Sequence, residues 1–335
     1  MFLFSAIFPV FCIDNEQITD SNENIIDNLD ILDSQKQKPR LYGFSISPYF
    51  GFVYGQSIEL LFPVNTKGEY LSELLWDMKP VFYSGLQVEF GVKEPIKRPG
   101  VFSMVSFKTG NPGITGYHEN FDWQSIENDA LTNYSIHTNR TVEFLWLDVF
   151  MGASIPISRF YIKPFLSGSW MRFSFSGSDG HYIYARSKDT NTYHPIEDNP
   201  YIGNLSGEVI RYQQNWFLAA AGLSFGTNIL TPVHLDFSFQ ISPLTYCAAI
   251  DYHILRSIKF FDFTSMGLFI EPKGSISYSL EKLDFLLEFS YRYIERTRGE
   301  SYSKHDSSIY AFRQTNDSGT GLSIYNTRAL MRIKL

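Results

Sequence analysis

Leu283-Asp284-Phe285-Leu286-Leu287-Glu288-Phe289-Ser290-Tyr291-Arg292-Tyr293 sets apolar or aromatic side chains at every odd position and polar ones at all but one even position. A period of two is that of an extended strand, whose successive side chains point to opposite faces. Two further stretches repeat the pattern. Leu235, Phe237, Phe239 and Ile241 alternate with Asp236, Ser238 and Gln240, and Tyr325 to Leu335 alternates in the same way. One apolar face and one polar face is what a wall needs when lipid lies outside it and polar packing inside.

Composition agrees with such a wall. Aromatic residues make up 17% of the 335, with 30 Phe and 21 Tyr, while charged residues are 19%. Mean hydropathy is −0.13. No apolar run reaches the 18 or so residues of a membrane-crossing helix. A soluble β-sandwich shares much of this composition, so the connections decide between them. Short turns fall near 92–99, 155–159, 227–232 and 280–282, and long polar loops near 111–137, 177–206 and 298–320. Short turns on one side and long loops on the other mark an outer-membrane barrel. The expected class is all-β: a ten-stranded antiparallel transmembrane β-barrel. Its strands exceed the roughly 9–11 residues that span a bilayer, so the barrel should extend above the outer membrane.

Residues 1–13 are read as a signal peptide and 14–40 as a disordered acidic leader, leaving 41–335 for the barrel. With the leader removed near Cys12, Cys247 stands alone and is expected in the wall. A net charge of −7 argues against nucleic acid as a partner. No metal-ligand spacing, phosphate-binding loop or dinucleotide fingerprint occurs, so no metal and no cofactor is expected. A monomer is expected.

The strongest chemical signal is Asp251-Tyr252-His253. On a strand these two side chains share a face. A carboxylate beside an imidazole fixes its tautomer and stabilises its cation, which suits a general base. His118, His181, His194 and His305 lack this arrangement and are read as surface or loop residues, as is His234 despite a His234–Asp236 pair at a short turn, and His137 is read as a loop-to-strand boundary residue. Arg140, Glu143, Asp148 and Arg172 are expected to form ion pairs in the lumen.

Further stretches join that pair in order along the chain: Asn120-Phe121-Asp122-Trp123, Leu131 to His137, Arg172 to Phe175, and Gly207-Glu208 leading to Tyr212-Gln213-Gln214. Together, over residues 41–335, they resemble the omptin family of outer-membrane endopeptidases. The resemblance implies a groove at the outer mouth of the barrel, where an acidic pair on one wall faces an Asp–His pair on the other and a water between them attacks the peptide bond. It assigns Asp251 and His253 to the Asp–His pair and Asp122 to the acidic pair. Asn120 stands where the family has its second catalytic aspartate, and an amide cannot take a proton from water. Ser135 matches a family position in an indirect role. The resemblance puts Gln56, Asn133 and Ala249 at the substrate pocket, where the family carries acids for basic side chains, so a neutral side chain is expected instead. Arg172 matches one position of a lipid-gripping cluster, and Asn215 departs from another. The implied partners are a peptide or protein substrate and outer-membrane lipid. Asn120 keeps a second possibility open: a catalytically impaired barrel acting as an adhesin or binding protein.

Overall fold

The computed structural model describes residues 41–63, 69–125, 129–189 and 192–335; the expected signal peptide and leader lie outside them. Among these residues, ten antiparallel strands close into a ring. They are β1 (Tyr42–Phe62), β2 (Ser72–Val92), β3 (Gly100–Gly110 and Gly113–Asp122), β4 (Asn133–Ile157), β5 (Phe160–Tyr184) and β6 (Glu208–Leu230), then β7 (Val233–Ser242 and Thr245–His253), β8 (Ile258–Ser265 and Phe269–Ser279), β9 (Leu283–Ile294 and Arg298–His305) and β10 (Asp317–Lys334). Each pairs with its sequence neighbour, and β10 pairs with β1 from Ser45↔Lys334 to Phe62↔Asp317, closing the ring. The expected fold class is the observed one.

β4 and β5 each run for 25 residues. At ~3.3 Å per residue that is about 80 Å of strand, or roughly 60 Å of height at the usual tilt, about twice the hydrocarbon core. The lower part carries an outward apolar belt, with Phe50, Phe82, Leu166, Phe237 and Phe285 among its exposed side chains. Among the described residues no helix is long and apolar enough to cross a membrane.

Charge fills the lumen behind this belt. Arg292 donates to Glu271 at 2.5 Å and lies 3.4 Å from Asp148, while Arg328 donates to Glu288 at 2.7 and 3.0 Å. Lys108 sits 3.3 Å above the Trp146 ring. Higher up, the interior becomes apolar: Trp76, Phe144, Met171, Phe173, Phe175, Tyr212 and Trp216 pack there. Side chains thus occupy the interior at both levels, as is usual for small barrels.

Two readings need correction. The long loops are shorter than the sequence suggests, because 113–122, 133–137, 177–184, 298–305 and 317–320 are strand. These segments rise into water, so polar residues on them do not signal a loop. Arg140, Glu143 and Arg172 do not fill the lumen. They face outward, with Arg172 Nε 2.8 Å from Glu143. Period two decides this, since Met171 and Phe173 are the inward neighbours of Arg172. Only Asp148 of that group lies inside, bonded to Ser169 and Arg292.

Candidate active site

The four short turns lie at one end, so the upper strand ends form the opposite rim. Asp122 is the last residue of β3, and alternation turns Asn120 and Asp122 inward with His118. The pairing to β4 then builds three inward rungs: Asp122↔Asn133, Asn120↔Ser135 and His118↔His137. Asn133 donates to Asp122 at 3.3 Å, and Ser72 on β2 donates to Asn120 at 3.2 Å. Burial pushes the Asp122 carboxyl above the usual carboxylate range, against hydrogen bonds from Ser72 and Asn133 and the charge of His253.

On the other wall, β7 ends with Asp251 and His253 on one inward face. Asp251 is 2% exposed, and its Oδ2 lies 2.5 Å from His253 Nε2. An ionised carboxylate only accepts, so Nε2 carries the proton and Nδ1 the lone pair. The ring meets Phe260 edge-on, with centroids 5.4 Å apart. Burial works to lower the His253 pKa, but the charge and hydrogen bond of Asp251 outweigh it, and Asp122 adds to the rise; the net value is above the ordinary one. Asp122 and His253 each feel the other's charge, so the two walls meet electrostatically across the rim.

Ala249 is inward and buried, paired with Gln214 on one side and Asp262 on the other. Gln56 does not join the groove. Its neighbours Ser57 and Glu59 face in, so Gln56 faces out and donates to Asp77 at 3.1 Å. Arg172 lies on the outer wall, where it donates to Gln213 at 3.0 Å.

Two inward acids escape the sequence reading. Glu59 and Asp262 are 7% and 2% exposed. Burial raises Glu59 well above the carboxylate range, with the charges of Asp251 and Asp262 adding to it, and burial raises Asp262. Among the described residues Glu59 Oε2, Asp251 Oδ1 and Asp262 Oδ1 have no hydrogen-bond partner. Both acids had a usable signal. Glu59 shares its face with Ser57, and pairing outward from the 254–257 turn brings Asp262 opposite Ala249.

Comparison with known proteins adds a family and a fold. The family model described as the Omptin family matches residues 40–333. The crystal structure of the outer membrane protease OmpT from Escherichia coli is similar at TM-score 0.75 and 14% identity, covering 88% of this chain and 97% of that one. The translocator domain of the autotransporter NalP from Neisseria meningitidis aligns at TM-score 0.36 and 10% identity, over 92% of this chain and 93% of that one. No curated protein matches the chain.

Proposed function

This chain belongs to the omptin family, and on that premise we propose that its rim groove hydrolyses peptide bonds in extracellular peptides or proteins by an activated water. Family membership makes it an outer-membrane protease. The observation that carries the mechanism is the 2.5 Å Asp251–His253 pair on the inward face at the rim; the charge that His253 and Asp122 each exert on the other supports setting Asp122 across from it.

His253 Nδ1 takes a proton from the water as it attacks the carbonyl carbon. Asp251 holds the imidazole in that tautomer and stabilises the cation that forms. Asp122, raised by burial, donates a hydrogen bond to the developing oxyanion when protonated and orients the water when ionised. The imidazolium then gives its proton to the leaving amine. Acid–base help of this kind is worth roughly 10²–10⁴-fold. Asn120 can hold a water but cannot share a proton with Asp122. The rim lies opposite the short turns, which supports a site open to the cell exterior.

The pocket reading shifts with Glu59 and Asp262. A neutral side chain was expected from Gln56, Asn133 and Ala249, but Gln56 lies outside the groove. Glu59 and Asp262 are instead two further buried acids that feel the charge of Asp251. An acid held neutral by burial and like charge ionises more readily when a cation enters beside it, so a basic substrate side chain is the better-supported preference. On the outer wall Arg172 and Arg211 are already paired with Glu143 and Glu208, which supports only a weak demand for lipid phosphate.

The test is cleavage of a mixed peptide library by lipid-reconstituted protein. Wild type should cut, with Lys or Arg enriched at the cleaved bond, and His253→Ala should lose roughly 10²–10⁴-fold. Asn120→Asp should raise turnover. Background-level cleavage by both wild type and His253→Ala would leave the adhesin reading, which Asn120 favours.

A further inference from the structure

His137 is buried at 3% exposure, and both of its ring nitrogens are engaged. Nδ1 lies 2.6 Å from the backbone carbonyl oxygen of Asp179, and Nε2 lies 3.1 Å from Ser135 Oγ. A carbonyl can only accept, so Nδ1 carries the proton. In the neutral ring Nε2 then has only a lone pair, and the Ser135 hydroxyl must donate to it. Burial holds the imidazole neutral, lowering its pKa despite the Asp179 carbonyl.

The carbonyl is aimed by a built device. Asp179 takes φ 54° and Gly180 φ 109°, and the β4–β5 register shifts between Ile136 and Thr138. Left-handed backbone at a non-glycine residue is unfavourable and persists only where neighbours impose it. Here Asp179 is tied to Gly207 twice, through its own N–H and through its carboxylate, each at 2.8 Å. The ring plane is fixed as well, because His137 stacks on His118, which stacks on Trp76.

Ser135 is therefore a hydroxyl whose proton is committed to His137. Its lone pairs remain for the groove, beside its direct cross-strand partner Asn120 and one rung from Asp122. We propose that His137 is a positioning residue for the hydrolysis: it accepts the hydrogen bond of the Ser135 hydroxyl and so keeps the Ser135 oxygen an acceptor towards the groove. Ser135 then orients the attacking water from the place where Asn120 offers no carboxylate. This rests on the water mechanism proposed above. His137 touches neither substrate nor water, and acts only through Ser135.

The experiment compares His137→Phe, His137→Gln, Ser135→Ala and the double variant His137→Phe/Ser135→Ala in lipid, with His253→Ala alongside. Each single variant should lower kcat roughly 10- to 100-fold, as misplacement of a reacting group does. KM should stay within roughly threefold, and the double variant should be no worse than Ser135→Ala, since residues acting as one unit are not additive. Wild-type kcat in His137→Phe, or multiplied losses in the double variant, would overturn the proposal. So would covalent labelling of Ser135 by a fluorophosphonate, which would make it a nucleophile. If the variants fail to assemble, ¹⁵N-histidine NMR of the wild type decides: the Nδ1–H tautomer of His137 is required, and the Nε2–H tautomer refutes it. Undiminished turnover in His253→Ala would instead sink the underlying mechanism, while the tautomer result would stand apart from it.

Discussion

Strand β5 passes through two solvents, and its two halves obey opposite rules. Below Trp170 its outward side chains include Phe160 and Leu166, and Ser167 and Ser169 face in. Above Trp170, Arg172, Ser174 and Ser176 face out, while Met171, Phe173 and Phe175 are buried inside. The pairing to β4 and β6 runs unbroken through this point, Leu147↔Trp170↔Phe217 followed by Trp146↔Met171↔Trp216. The backbone does not change; the phase of the apolar residues does. Lipid outside draws apolar groups outward and leaves polar ones to satisfy each other within. Water outside reverses this, and the upper barrel packs inward like a soluble core. The lower interior is thus a charge network and the upper interior an apolar floor on which the rim residues stand.

The sharpest way to break this division is to cut the lower network. Arg292 is 1% exposed on its side chain and holds both Glu271 and Asp148. Arg292→Met leaves two buried carboxylates without their cation, a loss of about 3–5 kcal/mol. Urea unfolding of reconstituted protein should show that drop, while turnover per folded molecule stays at the wild-type level. Lost turnover with unchanged stability would mean that the two levels are not separable.

The same phase change explains what the sequence discloses. The lower turns are legible because short polar connections interrupt clear alternation, and Thr227 to Pro232 and Leu280 to Lys282 are examples. The upper strand ends read as loops because neither face there meets lipid. Asp122 therefore looks like a loop residue, although it closes a strand. Asp251 and His253 are legible as a pair, since i and i+2 suffice to bring them together. Spacing alone is not enough, however. His234 and Asp236 have it too, but Asp236 accepts from Tyr161 and Ser224, while His234 bonds Asn228 and Tyr161. Asp122 and His253 lie 131 positions apart on different walls of the rim, and no local pattern encodes that placement. Glu59 is legible only through the parity of β1, which its inward residues Val53 and Ser57 set.

A paired substitution on the outer face sharpens the comparison at lower cost. Leu166 is 60% exposed within the apolar belt, and Thr138 faces outward above it. Leu166→Arg should lose about 2–4 kcal/mol, the cost of a cation on the lipid face near the midplane. Thr138→Arg should stay within about 0.5 kcal/mol, as surface changes usually do. Equal costs at the two positions would place the membrane boundary elsewhere than at Trp170.

The last effect lies along the pH axis, and its sign follows from the direction in which His253 is shifted. His253 is held above its ordinary value near 6.5 because the Asp251 charge and hydrogen bond outweigh burial. A raised folded-state pKa means that the pair's stabilising contribution is fully present below about 6.5 and is lost as pH rises through the folded value. Turnover runs the other way, because the base must be unprotonated to accept from water, so activity should climb across that window while the pair's contribution fades. NMR titration of His253 should find its midpoint above 6.5 in the wild type and lower in Asp251→Asn, where burial acts without the opposing charge. A midpoint below 6.5 in the wild type would mean that the rim pair does not hold an imidazolium, leaving it no better a site for base catalysis than His234 at the opposite end of the same strand.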